Sequence, residues 1–138
     1  MAITTAIANS FKLEILDGIH APGDDYKIAL YTSTATLGAS TTAYSATNEV
    51  TGEGYTAGGI SLTGRSASLS GTVAFLDFSD PSWADATITA RGALIYNASK
   101  ANRAVGAFDF GANVSSTAAT FTVELPAAGS TTAVVRVA

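Results

Sequence analysis

The apolar positions near the start of the chain recur at helical spacing. Ile7, Phe11 and Ile15 fall every four residues, and Ala8, Leu16 and Ile19 widen the stripe. This pattern predicts an α-helix over about residues 5–17, with Thr4 or Thr5 as its N-cap and Gly18 as its stop. A helix of that length is marginal in isolation, so its apolar face must dock on the chain's own sheet or on a neighbouring subunit.

Beyond Gly18 the period shortens to two. Residues 24–32 (DDYKIALYT) read as a strand, with Ile28 and Leu30 on one face and Lys27, Ala29 and Tyr31 on the other. Further strands are predicted over residues 60–63, 69–78, 87–97, 104–110, 120–125 and 132–137. Gly64, Asp80-Pro81 and the stretches 97–102, 111–113 and 126–129 punctuate them. Strands at these intervals predict a mainly β fold: an antiparallel β-sandwich, jelly-roll-like or immunoglobulin-like, with one N-terminal α-helix. Residues 34–59 are the least regular, and short strands are expected around 43–47 and 55–56. The expected core is Ile28, Leu30, Val73, Phe75, Phe78, Ile88, Leu94, Tyr96, Val105, Phe108, Phe121, Val123, Leu125 and Val135.

The chain's 138 residues suit a single domain over 1–138, folding to roughly 6,700 Å² of accessible surface. Composition changes the picture of that surface. Apolar residues make up 47% and charged residues only 13%; alanine occurs 27 times, serine and threonine together 33 times, and glutamine never. The exterior must be built largely from small neutral side chains, which lose little rotamer entropy and need little desolvation when they pack against other protein.

The net charge of −4, with cations scattered along the chain, leaves no basic footprint for a nucleic acid. Without cysteine there is no disulfide, thiolate chemistry or zinc ribbon. No apolar run is long enough for a membrane span, and the first residues lack a secretory pattern, so a protein acting or assembled in the cytoplasm is expected.

Candidate chemistry is sparse. His20, the one histidine, precedes Asp24 and Asp25 and is expected to be a solvated loop residue. Asp77, Asp80 and Asp85 cluster without the dense alternation of a calcium loop. The run GEGYTAGG at 52–59 leads into a strand rather than a helix, so its glycines read as turn residues and not as a phosphate cradle. The two sequons at Asn97 and Asn113 carry no information without a secretion signal.

Trp83 is expected to cap the sandwich. Tyr44 and Tyr55 are large amphipathic rings in the irregular segment, suited either to covering one end of the sandwich or to contact with a partner. The expected interface comprises Tyr44, Asn48, Glu49 and Tyr55 with Phe11 of the helix. No catalytic, cofactor or metal residues are assigned, and no enzyme activity is expected.

Four segments, KIALYTS, TTAYSATNEV, GYTAGG and ATITARGALIYN, lie within a likeness that runs over nearly the whole chain. In them the sequence resembles a family of small virion-associated proteins of tailed bacteriophages, some of them capsid decoration (cement) proteins. No catalytic motif and no residue role come with the resemblance. It implies a β-rich protein on the exterior of the virion capsid, assembled in the host cytoplasm. Its partner would be the major capsid protein, which it would bridge as a homo-oligomer, dimer or trimer, without nucleic acid or membrane. Other virion stations are a head-fibre base, a tail or connector part, or a receptor-binding module. From a different class, a carbohydrate-binding β-sandwich would use Trp83 with Asp77, Asp80 and Asp85.

Overall fold

The computed structural model describes residues 2–137. Strand β1 (Ala6–Ile7) leads into helix α1 (Asn9–Leu16). There follow β2 (Tyr26–Tyr31), β3 (Ile60–Ser61), β4 (Ser66–Ser70), β5 (Val73–Asp77), β6 (Ser82–Asn97), β7 (Arg103–Thr122) and β8 (Val135–Val137). They form two antiparallel sheets, a five-stranded one in the order β1-β7-β6-β2-β3 and a three-stranded one in the order β4-β5-β8. The fold is thus mainly β, antiparallel and sandwich-like, with one short helix near the N-terminus. Its accessible surface is 6805 Å², and the buried apolar side chains form one contiguous cluster.

The helix is shorter than the apolar period predicts. Ala6 and Ile7 pair with Ala107 and Gly106 of β7, so the sheet edge takes residues the helix would otherwise use. Ala8 is the N-cap, without a side-chain capping bond. Thr5 Oγ1 instead accepts the Asp109 N–H at 2.9 Å. The stop is as expected. Gly18 sits at φ +71°, Ile19 N–H donates to the Glu14 carbonyl at 3.0 Å and Gly18 N–H to that of Ile15 at 3.3 Å, which is the Schellman arrangement. Phe11 is buried within the chain against the His20 ring at 4.7 Å, whereas Leu13 and Leu16 face solvent.

The long β6–β7 hairpin dominates. Its turn places Ala101 and Asn102 at φ +55° and +57°, with Arg103 N–H donating to the Lys100 carbonyl at 3.2 Å, as in a type I′ turn. The strands expected at 104–110 and 120–125 are one strand. The stretch 111–113, expected as a turn, is a bulge: Gly92 lies opposite Asp109 while Ala90 lies opposite Val114, and Gly111 supplies φ +82°. The expected strand at 69–78 is in fact the hairpin β4–β5, turned at Gly71 with φ +60°.

Ten of the fourteen expected core side chains are buried; Val73, Phe75, Phe108 and Leu125 are half-buried. In β5 it is Leu76 that buries, because alternation puts it on the face opposite Val73 and Phe75. Both faces of β2 are covered, contrary to a one-sided strand: Ala29 and Tyr31 are as buried as Ile28 and Leu30.

The expected short strands at 43–47 and 55–56 do not form. The segment is instead stitched down by single bridges, Ile3 to Leu37, Ala43 to Arg103, Glu49 to Tyr31 and Glu53 to Thr87.

Candidate functional site

The irregular segment is organised around one carboxylate. Glu49 is 9% exposed, and its Oε1 accepts the Tyr44 hydroxyl at 2.6 Å. Its Oε2 accepts the Tyr55 hydroxyl together with Gly58 N–H, the latter at 2.8 Å. The Tyr55 oxygen also accepts Leu30 N–H at 2.9 Å, so a side chain stands in for a strand partner beside β2.

Tyr96 of β6 stacks on Tyr44 at 4.7 Å and donates its hydroxyl to the Gly58 carbonyl at 2.6 Å. Tyr31 donates to the Ser45 carbonyl at 2.6 Å. Burial pushes the phenols of Tyr31, Tyr44 and Tyr55 well above their ordinary range, and the charge or hydrogen bond of Glu49 adds to it.

Two glycines of the GEGYTAGG run allow this knot to lie flat. A side chain on Gly54 (φ +81°) would meet the Ala86 Cα at 2.7 Å, and one on Gly59 (φ +77°) would run into the Ile28 carbonyl. They are close-approach glycines against β6 and β2.

The structure therefore joins three of the expected interface residues, Tyr44, Glu49 and Tyr55, in an intrachain knot. Asn48 remains at the surface in a left-handed conformation (φ +62°), its carbonyl accepting Thr32 N–H at 3.0 Å. Phe11 lies apart from them, under α1.

A second polar cluster ties the helix to the β6–β7 turn. His20 is not a solvated loop residue: its side chain is only 2% exposed, enclosed between Glu14 of the preceding helix and Asn97 of β6. Asn97, fully buried, donates through Nδ2 to His20 Nδ1 at 3.0 Å and to Asp24 Oδ2 at 2.8 Å. That leaves the other ring nitrogen, Nε2–H, to donate to Glu14 Oε1 at 2.8 Å. Arg103 binds the second Glu14 oxygen at 3.1 Å, and Lys100 binds Asp24 at 2.8 Å. Bonds from Lys100, then Asn97 and the Ala21 N–H, hold the Asp24 carboxyl well below the usual carboxylate range.

With both nitrogens engaged, the imidazole has no free position for general-base work. Asn97, Glu14 and Arg103 went unmarked as a group in the sequence. The one local signal is Asn97 closing the apolar run 93–96 of β6.

Trp83 is 4% exposed, edge-on to Phe121 at 6.2 Å. It caps one end of the core and offers no open face to a sugar. Asp80 accepts Leu125 N–H at 2.9 Å, and Asp85 occupies a β6 bulge at φ +50°. Among the described residues no group of three His, Cys, Asp or Glu is placed to hold a metal ion. No described helix is long and apolar enough to cross a membrane.

What remains on the surface is the distal part of β7. Beyond Asp109 it pairs with β6 on one side and has no strand on the other among the described residues. Residues 111–120 (GANVSSTAAT) carry no charge and are almost all exposed, Val114 among them at 43%. Across the hairpin, Thr87 and Thr89 continue the same hydroxyl-rich face. Bulges on either side of residues 114–116 break the edge. Such interruptions limit runaway strand addition while leaving the side chains presented.

Comparison of the chain with family models, with curated proteins and with solved structures finds no match.

Proposed function

We propose that this chain is a structural protein of a bacteriophage virion, a decoration protein that binds the outer surface of the major capsid protein lattice and stabilises the head as a dimer or trimer. The resemblance of its KIALYTS, TTAYSATNEV, GYTAGG and ATITARGALIYN segments supports the reading. The observation that carries it is the uncharged ribbon at residues 111–120, whose edge away from β6 has no strand partner among the described residues, a surface cheap to desolvate against other protein. Stable protein contacts bury on the order of 800 Å² per partner, roughly an eighth of the 6805 Å² available. Engagement of two capsid subunits at once adds avidity, so modest contacts reinforce a pressurised shell.

The test places charge on the ribbon. Val114→Glu and Ser115→Lys should leave the melting temperature unchanged and lower occupancy on emptied capsids at least tenfold. Full occupancy by both folded variants would remove the ribbon from the interface. Counting copies in the virion separates the stations: a decoration protein matches the capsomers in number, and a connector or tail part is present in few copies.

A further inference from the structure

Between the two sheets, beneath α1, lies a pocket of about 180 Å³. Phe11 and Ile15 of the helix, Tyr26 of β2, Leu76 of β5 and Val135 of β8 give it apolar walls. An apolar cavity of about 150 Å³ accepts a benzene molecule, so this space suits one six-membered ring or a branched alkyl group.

Arg65 is the chemically distinctive lining residue. Its Nε is buried and has no hydrogen-bond partner among the described residues, and its guanidinium carbon stands 5.9 Å from the centre of the Tyr26 ring. Arg91, Lys100 and Arg103 each hold a carboxylate, whereas no described carboxylate lies within ion-pairing distance of Arg65. His20 also borders the pocket, but Glu14 and Asn97 occupy its ring nitrogens. The positive charge available to an occupant is therefore that of Arg65.

With Nε closed off from solvent, a carboxylate in the pocket would meet the terminal N–H groups of the guanidinium, which bind carboxylates through charge-assisted hydrogen bonds. We propose that this pocket binds a small hydrophobic carboxylate, its ring or branched alkyl group between the sheets and its carboxylate on Arg65. Two sources share that chemistry: a free aryl- or alkyl-carboxylic acid, and the C-terminal residue of a polypeptide.

The test is a titration of the intact protein, followed by amide chemical shifts, with 3-phenylpropionate, its neutral amide, and a short peptide ending in phenylalanine. The acid should bind saturably with shifts at Phe11, Tyr26 and Leu76, and the amide at least tenfold more weakly. Arg65→Met should abolish that preference. Ala74→Phe, which fills the pocket from an exposed strand position, should abolish binding of both; it keeps the test decisive if Arg65→Met fails to fold. Binding of the free-carboxylate peptide assigns the site to a chain terminus, and binding of the acid alone assigns it to a small molecule. No saturable binding, or acid and amide binding equally, overturns the proposal.

Discussion

Removing the Glu49 carboxylate should be among the most damaging single changes to this chain. In Glu49→Ala three donors lose their acceptor: the hydroxyls of Tyr44 and Tyr55 and the N–H of Gly58. Tyr44 is half-buried and finds water, but the Gly58 N–H and the Tyr55 hydroxyl lie in the knot. Each unsatisfied buried donor costs about 1–3 kcal/mol, so the expected loss is about 4 kcal/mol.

Glu49→Gln keeps one oxygen for Tyr55 and Gly58, and its amide can donate to a Tyr44 hydroxyl turned outward. Its cost should be nearer 1 kcal/mol. Urea unfolding followed by tyrosine and tryptophan fluorescence measures both. With a slope of about 2 kcal/mol per molar, the alanine variant's midpoint falls by about 2 M. A double-mutant cycle with Tyr55→Phe should return a coupling of about 1–2 kcal/mol, and one with Tyr44→Phe a smaller value. An alanine variant within 0.5 kcal/mol of wild type, the scale of ordinary surface substitutions, would refute the reasoning.

The remaining predictions concern pH, backbone and helix. Tyr31 and Tyr55 are held as neutral phenols in the fold, while in the unfolded chain they ionise near pH ~10. Stability should thus be flat below that pH and fall above it, by up to about 1.4 kcal/mol per pH unit for each tyrosine. Tyr55→Phe should flatten this slope in urea midpoints measured from pH 9 to 12, and an unchanged slope would count against it. Asp24 acts at the other end: its depressed carboxyl stabilises the fold above pH ~4, and that contribution is lost as the pH drops further.

Gly59→Ala forces a methyl into the Ile28 carbonyl at a left-handed backbone position and should cost at least about 2 kcal/mol; calorimetry showing no loss would place the loop elsewhere. Phe11→Ala should lower stability by about 3–5 kcal/mol because the ring is buried within its own chain. An unchanged melting temperature with lost oligomerisation would move that face to an interface.

The features that were legible in the sequence are those set by neighbours along the chain. Strand-forming runs bounded by turn residues mark β2 and most of β6, and Gly18 marks the helix stop. What escaped depends on partners far away. Nothing near Ala6 announces that Ala107 will claim it for a sheet, and the glycine that reads as a turn at 111 serves equally as a bulge. Local pattern does not say that His20 will be enclosed by Glu14 and Asn97. Tyr44 and Tyr55 stand out in the sequence, with Asn48 and Glu49, as an expected contact surface, because a loop has no obvious need of large amphipathic rings. That the acid is what the rings bind required the fold.

The way segment 34–59 is tied down also bears on the order of events as the chain folds. Its bridges reach Ile3, Tyr31, Thr87 and Arg103, so its attachment points do not share one surface until β2, β6 and β7 have already assembled. The knot at Glu49 is therefore expected to close late, and Glu49→Gln should give a φ-value near zero when folding and unfolding rates are compared with the change in stability. Interactions of that kind act mainly by slowing unfolding. The segment works as a latch on a finished sheet, giving persistence in time to a small domain rather than speed in reaching its shape.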